Sequence, residues 1–248
     1  MKALSPDELQ EFVNQNIATF HESRLKRVQN IKLTEVLRKK NPYLFKAKNI
    51  TLANDLMQGI LDAFLSSSEE ELFGQFLEDL SVFVVGKSCG GYKSAAEGID
   101  FEFSNEGFHY IVSVKSGTNW GNSAQQKKQE ANFQTALKVL KQSRHMGNVE
   151  AVLGICYGNS KTVFSKKGYR RIVGQSFWHF ISGNVNLYTD IIEPLGHKAK
   201  EHNEEFVQQK DLLVNLFTQQ FMDKFCEDGA INWESLVRFN SGNLKLPT

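Results

Sequence analysis

The sequence predicts an α/β sandwich: a mixed central sheet flanked by helices, with further helices before and after it. Three observations carry this. The first 65 residues read as helices. A stretch of alternating apolar and acidic residues, GIDFEF (98–103), is followed by a second strand-like run, Phe108 to Lys115. A continuous apolar run, EAVLGICY (150–157), then ends at Gly158, as a buried central strand does.

Ser5-Pro6-Asp7-Glu8 opens the first helix, with a cap residue followed by proline at the first helical position. A break falls at Asn41-Pro42. Leu52, Leu56, Ile60 and Phe64 recur near helical spacing and predict a helix from about Thr51 to Leu65, interrupted by Ser66-Ser67-Ser68. Ser68-Glu69-Glu70-Glu71 reads as a cap and capping box for a new helix through Leu72, Phe73, Phe76, Leu77 and Leu80. Gly86 and Gly90-Gly91 mark loops. Asn105-Glu106-Gly107 is the turn of a hairpin whose strands are the two runs around it. Ser123 caps a long helix reaching about Arg144, and Gln175 to Ile181 forms a short one. Residues 186–227 are helical again, and Asn232 to Phe239 adds a last turn or two. The expected organisation is a basic helical region over 1–65, a core over 66–185 and C-terminal helices over 186–248.

The chain has 248 residues, 41% hydrophobic and 23% charged, the proportions of an ordinary globular protein. Nineteen Phe against three Trp and six Tyr point to a core filled by phenylalanine. No apolar run reaches about 18 residues, so no membrane span is expected. The N-terminus, MKALSPDELQEF, carries acids where a signal peptide needs an apolar stretch, and a cytoplasmic location is expected. Cys89, Cys156 and Cys226 are scattered, which excludes a zinc knuckle and suits small buried hydrophobes.

Net charge is only +1, but it is unevenly spread. Between His21 and Lys48 stand nine basic residues, Lys39, Lys40, Lys46 and Lys48 among them, against two acids, so the remainder of the chain is net acidic. That asymmetry suits either a footprint for phosphates or a solvated helix face. Lys161, Lys166, Lys167, Arg170 and Arg171 form a second basic stretch with the same two readings. The histidines at 109, 145, 179, 197 and 202 show no ligand spacing, and no catalytic role is expected for them.

Hydrolysis of a phosphodiester needs a hard cation, carboxylates to hold it and a positive charge near the attacking water or the phosphate. Asp100 on the first strand and Lys115 at the end of the second place an acid and an amine on one hairpin. Ile111, Ser113 and Lys115 share a face of that second strand. The stretch GIDFEF…HYIVSVKSG resembles the D…(D/E)-x-K core of the PD-(D/E)XK nucleases. The wider stretches NPYLFKAKN, SSSEEELFGQFLE, VSVKSGTNWGNS and YTDIIEPLG resemble PmeII-like type II restriction endonucleases, over about Asn41 to Gly196.

The resemblance implies a restriction-endonuclease-like fold, Mg2+ as cofactor, double-stranded DNA as substrate, a homodimer matched to palindromic sites, and a cognate DNA methyltransferase as system partner. It also exposes a departure: Ser113 stands where the motif has Asp or Glu, and serine carries no charge for a metal. Some enzymes of the superfamily read Ser-Val-Lys and take the acid from the following helix. Glu130 suits that role, on the stripe of Phe133, Leu137 and Leu140, where an acid facing the core needs a metal or a lysine as partner. Glu102 is a reserve metal ligand. Glu70 is implied as an acid of the metal site, or else merely favours the helix dipole. Ser116, Asn119, Trp120 and Asn122, beside the lysine, are candidate DNA contacts, or form a structural turn. Two alternatives stay open: a nuclease of the same superfamily acting in repair or recombination, and a DNA-binding module whose Ser113 records a lost carboxylate.

Overall fold

A computed structural model describes residues 1–143, 148–165 and 167–243. The expected helix end at Arg144, together with His145 and Lys166, lies outside them. The helices are α1 (Pro6–Asn30), α2 (Leu33–Lys39), α3 (Pro42–Ala47) and α4 (Ala53–Cys89), followed by strands β1 (Tyr92–Lys93), β2 (Phe101–Asn105) and β3 (Phe108–Lys115). Then come α5 (Ser123–Ser143), β4 (Val149–Ile155), β5 (Val163–Phe164), β6 (Arg170–Val173), α6 (Gln175–Ser182), α7 (Leu187–Asp190) and α8 (Ile192–Leu195). The chain continues through α9 (Ala199–Phe225), a small ribbon of β7 (Cys226–Glu227) and β8 (Ala230–Ile231), and α10 (Trp233–Ser241). The α/β class expected from the sequence is the class found.

Two compact units divide the chain, each built from separated stretches: 1–18 with 73–197, and 19–72 with 198 onward. The first holds the six-stranded sheet, in the order β1-β2-β3-β4-β6-β5. β2 and β3 pair antiparallel, β3–β4 and β4–β6 pair parallel, and the short edge strands pair antiparallel. The turn between β2 and β3 places Glu106 at φ 51° and Gly107 at φ 79°, the two positive angles that a tight hairpin of the right twist requires. Because β3 and β4 run parallel, α5 serves as the crossover and covers one face. Phe133 and Ala136 pack there on Ile99, Ile111, Ala151, Leu153, Ile155 and Val173. On the other face Phe180 of α6 meets Phe103 and Tyr110 edge-on, and the Phe177 ring occupies the space above Gly154 that a side chain would fill.

The second unit has its own core, in which Leu56, Met57, Ile60, Leu61 and Phe64 meet Phe206, Phe217, Phe221 and Phe225. Its phenylalanines bear out the composition.

Several local expectations are corrected. α4 runs unbroken through Ser66-Ser67-Ser68, because Ser67 Oγ donates to the Ala63 carbonyl at 3.0 Å and so needs no break. The expected capping box at Ser68 is therefore mid-helix. Gly86 also lies within α4, and Gly90, at φ 66°, follows its end. Leu52 is exposed although Leu56, Ile60 and Phe64 on its stripe are buried. Asn122, not Ser123, caps α5: its Oδ1 accepts from the N–H groups of Ala124 and Gln125 at 3.0 and 3.1 Å, and Gln125 Oε1 accepts from the Asn122 N–H at 2.8 Å. The second basic stretch is not one loop, since Arg170 and Arg171 belong to β6.

Candidate active site

The hairpin delivers Asp100 and Lys115 to one end of the sheet. Asp100 precedes β2 and is tied to β3 through its own N–H, which donates to the Val112 carbonyl at 2.8 Å. Its Oδ2 accepts from the Val114 N–H at 2.5 Å and from Ser113 Oγ at 3.2 Å. Ser113 is fully buried, and its hydroxyl orients the aspartate. Gly98, at φ 72°, makes this approach possible. A methyl group there would fall 2.0 Å from Asn132 Nδ2 of α5, and Gln129 Nε2 donates to the Gly98 carbonyl at 2.8 Å.

A second carboxylate joins them, and it comes from α4. Glu78 is held above the ordinary carboxylate range first by burial and then by the charge of Asp100, with Lys93 and Lys115 opposing the shift. Asp100 is raised as well, mainly by burial, against the Val114 N–H, Lys115, the Ser113 hydroxyl and Lys93. The buried Cys156 thiol is pushed up to about 12, chiefly by burial, with smaller contributions from Asp100 and Glu78 that Lys115 opposes. Neither carboxylate is well partnered. Among the described residues nothing donates to Asp100 Oδ1, and the ion-pair contact of Glu78 is Lys93 Nζ at 3.9 Å, beyond hydrogen-bond reach. Lys115 reaches back over the Trp120 ring, 5.6 Å from its centroid, beside a cleft of about 370 Å³ that Gln125, Lys128, Gln129 and Asn132 also line.

The sequence profile of a known family, described as Type II restriction endonuclease EcoO109I, matches residues 7–203, most of the chain. This chain belongs to that family. No curated protein matches it. Members of a type II restriction endonuclease family are DNA-cutting hydrolases that bind double-stranded DNA, and Glu78 of α4, Asp100 and Lys115 all lie within the matched span. Among the described residues, no helix is long and apolar enough to cross a membrane.

Within this restriction endonuclease, the other residues singled out from the sequence have different surroundings. Glu130 is in an ion pair with Lys167 of the β5–β6 turn and has no hydrogen bond or ion pair with Asp100 or Lys115. Glu102 is buried in a closed network: Ser94 Oγ donates to Oε1 at 2.5 Å, while His109 Nε2, at 3.0 Å, and the Tyr92 hydroxyl, at 3.4 Å, reach Oε2. Glu70 is exposed and lies mid-helix on α4, two turns before Glu78, so it does not cap a helix. Ser116 continues β3 beyond Lys115, Asn119 is exposed, Trp120 packs on the core under α5, and the Asn122 side chain is occupied as a helix cap.

The four lysines lie in the second unit and are engaged there. Lys39 pairs with Glu35 at 3.0 Å, and Lys40 Nζ donates to the Ala63 carbonyl at 2.6 Å. Lys46 sits over Trp233, and Lys48 over Phe45.

Sequence reasoning missed Glu78 and Lys93. The signal for Glu78 was faint: Gly74, Glu78 and Ser81 fall at helical spacing, but α4 carries six other acids, Asp79 beside it among them. Lys93 stands alone in a loop-like stretch, and nothing local marks it.

Proposed function

We propose that this protein is a Mg2+-dependent, site-specific endonuclease that cuts both strands of DNA as a two-fold homodimer, in the cytoplasm, within a restriction–modification system that includes a cognate methyltransferase. Family membership supports the reaction class. The observation that carries the reading is the pair of under-partnered carboxylates, Asp100 and Glu78, beside two lysines at the end of a hairpin.

Those residues fit a magnesium ion. Mg2+ takes hard oxygen ligands and commonly keeps its waters, needing one or two carboxylates plus substrate phosphate oxygens. Among the described residues no three acids, histidines or cysteines converge, so Asp100 and Glu78 would form the protein's share of the ligand set. Glu78 thus takes the place that the sequence reading gave to Glu130. When bound, the ion lowers the pKa of a water and offsets charge on the phosphate.

The chain's own residues do the rest. Ser113 and the Val114 N–H fix the aspartate, so it needs no reorganisation on substrate binding. Lys115 faces the phosphate, where its ammonium offsets the charge that develops as water attacks phosphorus and the ester P–O bond breaks. Trp120 holds that lysine from behind. Ser116 and Asn119 flank the scissile position as backbone contacts. Lys39, Lys40, Lys46 and Lys48 supply the second unit with charge for phosphates.

Digestion of plasmid or phage DNA by the purified protein tests this. Discrete fragments with Mg2+ and none with EDTA are expected, and sequencing their ends should give one palindromic site with a fixed cut position. Random nicking would favour a repair or recombination nuclease. No cleavage of any DNA with any divalent metal would mark a degenerate DNA-binding module.

A further inference from the structure

The structure assigns one more substrate contact, resting on the nuclease reading above: we propose that the Tyr157 hydroxyl donates a hydrogen bond to the DNA phosphate next to the one that Lys115 serves. Four observations place it. β3 and β4 stay paired past their ends, with the Cys156 N–H donating to the Lys115 carbonyl and the Tyr157 N–H to the Ser116 carbonyl, both at 2.9 Å. Lys115 is in register with Ile155, so Tyr157 lies on the same sheet face one pair further out, about 7 Å along the strand.

Its ring lies across Gly117. A methyl group at 117 would fall 2.5 Å from Tyr157 Cζ and 2.6 Å from its hydroxyl, so the glycine is the seat of the ring. The mount is rigid, because Gly158, at φ 129°, packs against Thr118, and a methyl group on Gly174 would fall 2.6 Å from the Gly158 carbonyl oxygen.

The residue is nevertheless 55% exposed, and among the described residues its hydroxyl has no hydrogen-bond partner. Ligands of open α/β sheets bind beyond the carboxyl ends of the parallel strands, which is where this tyrosine stands. A large aromatic held rigidly in water, its donor unused, is pre-organised for a substrate that arrives there. An anionic oxygen is the acceptor that gains most from a neutral hydroxyl.

Single-turnover cleavage of a plasmid that the wild type cuts, with Mg2+, tests the contact. Tyr157→Phe should lower the rate or apparent affinity by about ten-fold, the scale of one hydrogen bond to a charged group, with an unchanged thermal midpoint. Gly117→Ala, whose φ is ordinary, should displace the ring and lose as much, and the double variant should lose no more than Gly117→Ala alone.

An oligonucleotide duplex carrying a neutral methylphosphonate beside the scissile phosphate should slow the wild type and leave Tyr157→Phe unaffected, a response that a merely structural tyrosine would not give. Wild-type rates for both single variants, or equal slowing of wild type and Tyr157→Phe by the methylphosphonate, would overturn the contact while leaving the nuclease reading intact. Failure of the wild type to cut any DNA would end both.

Discussion

Asp100 and Glu102 lie two residues apart on one stretch of chain, and their surroundings are opposite. Glu102 is closed in. Both its oxygens are met, by Ser94, Tyr92 and His109, and the imidazole in turn shares a hydrogen bond of 3.0 Å with Ser104 through Nδ1. Among the described residues nothing donates to one oxygen of Asp100, burial raises its pKa, and its charge helps raise that of a second carboxylate, Glu78. The first cluster spends its hydrogen bonds on holding the hairpin together. The second stores electrostatic need that a cation or a substrate can satisfy. A buried acid is thus not a site by virtue of burial; what matters is whether its lone pairs are already used.

The sharpest way to break this contrast is to remove the open cluster's charges. Asp100→Asn and Lys115→Ala should each lower the DNA cleavage rate by about 1000-fold or more while leaving the folded fraction unchanged by circular dichroism. Retention of activity within ten-fold would sink the assignment.

Next in size is the choice of second acid. Glu78→Gln should cost about 100-fold in cleavage. Glu130→Gln removes only the pair with Lys167, half-exposed on the lysine side, and should change cleavage by less than about three-fold, as for a partly solvated ion pair. The reverse ranking would restore Glu130 to the site.

The closed cluster should answer in stability instead. His109→Ala leaves the buried Glu102 short of a donor and should cost about 2–3 kcal/mol in urea unfolding, with the activity of the folded fraction preserved. Replacing both partners, Glu102→Leu with His109→Leu, should be milder than the single change, because no buried polar group is then orphaned.

The smallest effect is one of pH, measured in EDTA. The folded-state pKa of Asp100 is raised above its ordinary value of 3.8, so the aspartate's favourable contribution is complete below that value and is lost as pH rises through the folded pKa. Asp100→Asn should therefore melt higher than wild type at neutral pH, and the gap should close as the pH falls below about 4. Added Mg2+ should raise the midpoint of the wild type but not of Asp100→Asn. A midpoint for the variant equal to or below that of wild type at pH 7 in EDTA would show that the aspartate carries no stored penalty.

Much of the fold was legible because its signals are local. Alternation in GIDFEF, the Asn-Glu-Gly turn and the apolar EAVLGICY run act over a few residues, and the hairpin, the crossover helix and the central strand formed where they point. The serine run misled because serine can satisfy its hydroxyl inside a helix, at the i−4 carbonyl, as readily as at a cap. The short strands β5 and β6 hid in a basic stretch, where edge pairing and the Arg170–Glu150 ion pair outweigh composition. At the site, Asp100 and Lys115 could be read from their places on one hairpin. The second carboxylate could not, because the stripe that carries Glu130 is equally well explained by a lysine, and Lys167 supplies it.

The sequence by itself determined the α/β class, the hairpin and the acid–amine pair mounted on it, since each follows from side-chain alternation and turn chemistry within some fifteen residues. Only the tertiary structure decided which distant groups complete the pair. It brought Glu78 and Lys93 to Asp100, sent Glu130 to Lys167 and closed Glu102 with His109. The reason is physical: periodicity fixes which face a residue lies on, but the energy of a charge depends on what is packed within a few ångströms of it, and that is set by elements far away in the chain.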